Sequence, residues 1–497
     1  MRDQIRLPGL ASAVAVFVLI AASVAAASSF TAETPTLVSG TSSFIAGCEG
    51  VAQTGTNYLN SEVEPRVAVN PANANNIIGV WQQDRWSNGG AHALVAGVSH
   101  NGGTNWTRTF AHFSRCAGGT TANGGDYERA SDPWVTFAPN GHAYQISISF
   151  NDSNTTNAVL VSKSTTGGDT WTNPVTLIRD TAATVFNDKE AITADPGNSN
   201  FVYAVWDRLV FPNERARGGS PEHTFAFRGP ILFSRTTDGG GTWEKPRVIF
   251  DPGQEAQTIG NQIVVLPNGD LVDVFNLIRV FSNAHGLRGF NVAVIRSKDK
   301  GITWSKPIIV SKLLTVGVTD PDTGQAVRTG DIIPDIAVDQ SSGKLYAVWQ
   351  DGRFSGFTHD DIAFSQSGDG GLTWSTPIKV NKTTGNVAAF TATVRVAGDG
   401  TVGVTYYDFR NNTPALGLLT DYWLVHCHSS CTTATNWSET HVAGSFDMET
   451  APFARGFFVG DYEGLATVGD SFVPFFVQAN TGNTTNRTDV FFTTVGP

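Results

Sequence analysis

The chain has 497 residues, 52 of them glycine, with 15% charged residues and a formal net charge of −11. An acidic chain without a basic cluster repels the phosphates of nucleic acid, which excludes that class of partner. Val, Ile, Phe and Trp enrichment with abundant glycine, and the lack of any long helical periodicity, exclude a helical protein and predict an all-β fold.

At the N-terminus, Arg2 and Arg6 precede an apolar run from Leu10 to Val24 and small residues at Ala25 to Ala27. This is a secretory signal pattern of bacterial type, with cleavage near Ala27. The run is short for a retained membrane span. Residues 28–36 form a short lead, and 37–497 read as one domain, because no linker or low-complexity tract divides them. Export makes disulfides plausible. Of the four cysteines, Cys427 and Cys431 are close enough to staple a local loop, which leaves Cys48 for Cys116. His428 inside "CHSSC" leaves a metal site as the weaker alternative, since no second ligand pair of matching spacing exists.

A strand–turn–strand phrase then recurs along the chain. It begins at Glu64 ("EPRVAV"), Ser131 ("SDPWVTF"), Asn187 ("NDKEAI"), Asn261 ("NQIVV"), Ile333 ("IPDIAV"), Thr393 ("TVRVAG") and Asp461 ("DYEGLA"). The first five copies are followed by glycine-rich turns ending at Trp106, Trp171, Trp243, Trp304 and Trp374. Their frame is Ser/Thr-x-Asp-x-Gly-x-Thr-Trp, with Asn101 and Thr166 at the Asp place in the first two. Asp caps backbone N–H groups, Gly takes a positive φ, and Thr-Trp restarts a strand whose indole packs between sheets. Four strands per unit, repeating every 60 to 70 residues or roughly so, predict a β-propeller of four-stranded blades. Seven units are counted, with six as the alternative. The leftover segment from about Phe30 to Glu62 is expected to supply a strand that completes the last blade.

The repeated turn resembles the Asp-box, or bacterial neuraminidase repeat, and the chain is similar to the sialidase-like propeller superfamily. Sialidases of this superfamily have six blades, so seven units are a departure. The resemblance implies hydrolysis of a terminal acidic sugar, with an arginine cluster gripping the substrate carboxylate. It also implies a tyrosine nucleophile with a glutamate base, and an aspartate acid/base. Arg66 holds the place of the first arginine and Arg85 that of the second. Tyr462 in "DYEGLA" matches the nucleophile, and Glu190 with Arg208 shows the spacing of the glutamate and its arginine. A last arginine is expected ahead of the tyrosine, where Arg455 stands too near and Arg410 too far; Arg410 is carried as the candidate. No aspartate lies in "WSNGGA" after Arg85. Asp84 and Asp132 are the substitutes, and Asp132 is taken as the acid/base.

A bland account competes. Asp84-Arg85, Asp207-Arg208, Asp351 with Arg353 and Asp408 with Arg410 recur at one place in the unit, which is what inter-blade salt bridges would show. Arg66 varies to Trp134, Gln262 and Asp335 at corresponding positions, as expected of a site built on a scaffold. Glu463, like Glu190, is acidic at a strand start facing the channel, and Trp86 is placed to stack on a sugar. The leading expectation is a secreted glycoside hydrolase of sialidase type. It would act as a monomer on a glycan or glycoconjugate, with no membrane span once the signal is removed. The alternatives are a non-catalytic binding propeller and a hydrolase or lyase for another acidic polysaccharide. No cofactor is called for, although Asp-rich loops leave room for calcium.

Overall fold

The computed structural model describes residues 29–214, 227–279 and 289–497. The signal expected over 1–27 lies outside the described residues. The fold is all-β; among the described residues the helical elements are short 3-10 turns. Seven antiparallel meanders follow one another. Their innermost strands are Glu62–Val69, Arg129–Phe137, Val185–Ala194, Ala256–Val265, Asp335–Val338, Ala389–Val396 and Gly464–Val468. Each lies beside the innermost strands of the meanders before and after it, the seventh beside the first. Sheets stacked face to face bury both sides of their strands, and Ile77–Arg85, the second strand of the first meander, is buried at all nine positions.

The N-terminal segment closes this ring as expected. Thr36–Leu37 pairs antiparallel with Thr488–Phe492 of the last meander, and Thr31–Ala32 pairs with Val495–Gly496. Both expected disulfides are formed, Cys48 to Cys116 and Cys427 to Cys431.

The glycine-rich turns behave as the sequence predicts. The Asp299 carboxylate accepts from the Thr303 backbone N–H at 2.8 Å, and Asp369 from that of Thr373 at 2.9 Å. Asn101 does the same for Asn105. The second glycine abuts the preceding sheet. A Cβ on Gly103, at φ +90°, would lie 2.1 Å from the Phe492 ring. The indoles fill the same seams: Trp106 meets Phe492 at 5.2 Å and Trp304 meets Phe233 at 5.6 Å between ring centres.

The Asp–Arg pairs divide. Arg208 reaches back to Asp180 on the preceding meander at 2.8 Å. Arg353 bonds Asp351, and Arg410 bonds Asp408, two residues away in each case. Those two pairs join side chains of one meander, although Arg353 also donates to Ser311 and the Lys312 carbonyl of the preceding one.

One irregularity repeats and positions the site. Five innermost strands break register at the same place: after Val63, Ser131, Asp188, Ile259 and Phe390. The extra residues are left-handed: Glu64 at φ 55°, Asp132 at 52°, Lys189 at 46°, Gly260 at 75° and Thr391 at 53°. A bulge bends its strand and re-aims a side chain. For a non-glycine residue the left-handed conformation costs on the order of 1–3 kcal/mol. Here it turns Glu64, Asp132 and Lys189 towards one another.

Candidate functional site

Lys189 is the hub. Its Nζ donates to Asp132 Oδ1 at 2.7 Å, Asp461 Oδ2 at 2.8 Å and Glu64 Oε1 at 3.1 Å. These carboxylates come from the first and second meanders and from the approach to the seventh. All are buried. Burial would raise Asp461, but Arg328 and Lys189 outweigh it and hold the carboxyl well below its usual range. The Arg328 guanidinium grips the same group, Nε to Oδ1 at 2.9 Å and Nη2 to Oδ2. Burial pushes Glu64 up to about 7 against the pull of Lys189, with Asp132 and Asp461 adding to the rise. Its other oxygen accepts from Gln82.

Beneath the hub sits a stacked plug. The Arg66 guanidinium lies 3.7 Å from the Trp134 ring centre and 4.6 Å from that of Tyr462. It is 3% exposed, and its Nη1 stands 3.7 Å from Asp335. Neither Nε nor Nη1 has a hydrogen-bond acceptor, and the Tyr462 hydroxyl is likewise unengaged. Burial lowers Arg66 to about 10, with Asp335 opposing. Burial and the charges of Glu64 and Asp132 push the Tyr462 phenol well above its ordinary value. Arg66 and Trp134 also line a second cavity of about 280 Å³, whose wall mixes apolar side chains with Thr136, Thr193, Gln262 and Arg395.

Beside the hub lies a cleft of about 300 Å³, at the lower end of the 300–1,000 Å³ typical of small-ligand sites. Lys189, Asp461, Arg328, Arg455, Asp188 and Asp331 bring its charged groups. Three are cationic and three acidic, so the cleft is mixed in sign rather than basic. Burial raises Asp331, Thr315 opposes this, and the charge of Asp461 adds to the rise. Thr315 Oγ1 lies 2.8 Å from Asp331 Oδ2.

Part of this wall comes from outside the meanders. Val318–Thr319, Ala326–Arg328 and Phe457–Phe458 form a small separate sheet, built from the connections before the fifth and seventh meanders. Arg328 packs over Phe458 at 4.2 Å.

The residues expected from sequence separate into three groups. Asp132 bonds the hub, and Arg66 and Tyr462 form the plug. Glu190 is buried near them and lines the same small void as Arg66, Lys189 and Tyr462. Neither of its oxygens bonds the Tyr462 hydroxyl. Burial and Asp132 push it well above the usual carboxylate range. Arg85 is buried behind Glu64, donating to Gln82 at 2.6 Å and facing the Phe458 ring at 5.2 Å. Arg208 and Arg410 point elsewhere, to Asp180 and to Asp408 with Glu439. Trp86 lies under Arg129 at 4.5 Å and is 9% exposed.

Sequence reasoning passed over Lys189, Glu64, Asp331, Asp461 and Arg328. In the aligned repeats, the position two residues before Arg66 and Trp134 holds Glu64, Asp132 and Lys189.

No protein-family model matches the sequence, and no curated protein matches it. Among solved structures, the chain is similar to the α-L-arabinofuranosidase of Fusarium graminearum, with 11% identity and a TM-score of 0.47 over 94% of this chain and 98% of that one. It is also similar to a Hadza microbial sialidase, with 15% identity and a TM-score of 0.46 over 85% and 74%. A polysaccharide lyase, an ulvan lyase, aligns at 11% identity and a TM-score of 0.43 over 83% and 82%.

Proposed function

We propose that the chain is an exported, seven-bladed, carbohydrate-active propeller, and that it hydrolyses glycosidic bonds in the cleft beside the Lys189 hub. The observation that carries this reading is the pair Asp461 and Asp331. Both line one cleft, and their surroundings push them apart: Arg328 and Lys189 hold Asp461 well below the usual carboxylate range, while burial, with the charge of Asp461 adding, raises Asp331 against the hydrogen bond from Thr315. Opposite displacement of two carboxyl groups in one site is the pattern that separates acid from base. Most glycoside hydrolases use such a pair. In this reading Asp331 protonates the leaving oxygen, and Asp461 attacks the anomeric carbon or directs water at it. Arg455 and Lys189 orient the sugar.

The sialidase-type reading is the second. It is favoured by the unengaged Arg66 donors and Tyr462 hydroxyl beneath the hub. There Tyr462 is the nucleophile, Arg66 takes the carboxylate, and Glu64 or Asp132 replaces Glu190 as its base.

Hydrolysis of fluorogenic sialosides, α-L-arabinofuranosides and β-glucuronides by the mature protein separates the readings. Loss of turnover in Asp461→Asn and Asp331→Asn, with Tyr462→Phe active, supports the first. Turnover of the sialoside alone, lost in Tyr462→Phe, supports the second. A folded protein that turns over no glycoside in a broad panel would sink both.

A further inference from the structure

Among the described residues, two phenylalanines are exposed: Phe357 at 58% and Phe453 at 38%. The chain has 31, so exposure of this side chain is unusual here. Both lie on segments that adjoin the cleft, and the two segments are different.

Phe453 begins a tight hairpin. It bridges to Phe457, with the rings edge to face at 5.7 Å, and Arg455 lies at the tip with φ 71°. Arg455 lines the cleft, and so does Val327, the register partner of Phe457 in the small sheet. The hairpin is therefore one edge of the opening.

Phe357 ends the short turn Gly352–Ser355 and its following residue, where its N–H bonds Gly352 at 2.8 Å. Gly352 bonds Leu314 at 2.9 Å and faces Val316, itself 45% exposed. Between them, Thr315 holds Asp331. The turn that carries Phe357 thus packs against the segment that holds Asp331, and the hairpin that begins at Phe453 carries Arg455.

An aromatic face matches the apolar C–H face of a pyranose or furanose ring. The cleft itself holds little more than a short sugar unit, whereas the two rings lie outside it. We propose that Phe357 and Phe453 are stacking platforms for sugars beyond the scissile bond, so that the substrate is an oligosaccharide or polysaccharide chain rather than a single terminal sugar on a small aglycone. This rests on the glycoside reading above and specifies its substrate class.

The test is binding of the mature protein, and of Phe453→Ala, Phe357→Ala and Phe453→Trp, to a glycan array carrying each sugar series at one to six units. Affinity of the native protein is expected to rise with chain length. Each alanine variant is expected to lose about tenfold on chains of four or more units and far less on single units. Phe453→Trp should retain length dependence. Length-independent binding, or alanine variants that match the native protein on long chains, overturns the platform while leaving the glycoside reading standing. No binding to any series overturns both. Sedimentation of the same variants adds one more outcome: a native dimer that the alanine variants dissociate would make the rings a self-association surface and overturn the proposal.

Discussion

The Lys189 ammonium lies 2.8 Å from the Asp461 carboxylate, and both stand on the wall of the cleft. Lys189 also bonds two carboxylates that never reach the cleft surface as lining groups, Glu64 and Asp132. It is therefore a structural keystone as well as a site residue. Lys189→Met leaves three buried carboxylates around an apolar chain. Breaking a buried pair in this way costs about 3–5 kcal/mol. The carboxyl groups respond by taking up protons, so their folded-state affinities rise above those of the unfolded chain. A group raised in this way loses stability as pH rises. The gap between native protein and variant in urea midpoint should be wide at pH 8 and narrow at pH 5. An equal gap at both would show that the hub carries little charge imbalance.

The displaced pair in the cleft sets the pH dependence of turnover. Asp461 is held below its ordinary value and Asp331 above it. Activity needs Asp461 ionised and Asp331 protonated, so it should fall in acid as Asp461 gains a proton. It should also fall on the alkaline side, as Asp331 loses one, at a pH above the ordinary aspartate range. Asp331→Asn should cost 10²–10⁴-fold or about that on substrates with poor leaving groups, less on activated aryl glycosides. It should also remove the alkaline limb of kcat/KM. An alkaline limb that survives in Asp331→Asn assigns the acid elsewhere, with Glu64 next in line.

The aspartates of the repeated turns are scaffold, and their environment says so. Asp369 accepts from Ser367, Leu372 and Thr373, with Thr373 Oγ1 at 2.6 Å, and these bonds hold it down to about 2. Asp369→Ala should lose turn bonds worth about 1 kcal/mol, read as a lower Tm, while turnover stays at the native level. A large loss of turnover would place this turn in the site.

The contrast between these turns and the hub explains what the sequence could reveal. The turns repeat because each must cap the same backbone groups and lodge its tryptophan in the same seam, as Trp106 does on Phe492. Repetition is visible without coordinates. So were the closing strand at Thr36–Leu37 and both disulfides. The hub is the reverse case. Its function requires Glu64, Asp132 and Lys189 to differ at one equivalent position, so no motif marks them. The phrase frames place them at strand starts but cannot show that a bulge rotates them inwards. Arg328 and Asp331 sit in connections with no counterpart elsewhere in the chain, so repeat logic is silent there. Arg208 and Arg410 carried the expected spacing yet point at Asp180 and Asp408. Spacing along a strand fixes which end a side chain occupies, not which neighbour claims it.

A second buried cation ties the N-terminal segment to the ring. His92 Nε2 lies 2.9 Å from Glu49 Oε1, and Nδ1 lies 3.0 Å from Asp84 Oδ2, with all three side chains buried. Asp84 in turn takes the Asn60 N–H at 2.7 Å and the Ser42 hydroxyl at 2.5 Å. Burial alone would lower His92, but the bonds to Asp84 and Glu49 outweigh it and raise the imidazole to about 9. A histidine raised on folding contributes stability that is full below its unfolded value, near 6.5, and is lost as pH climbs through the folded one. At about 1.4 kcal/mol for each tenfold gain in proton affinity, the contribution is about 3 kcal/mol. The native protein should therefore lose stability between pH 6.5 and 9, seen as a falling urea midpoint. His92→Gln, which keeps a polar side chain without the charge, should start lower and stay flat across that window. If the variant falls as steeply as the native protein, the pH dependence belongs to other groups and His92 is neutral in the folded state.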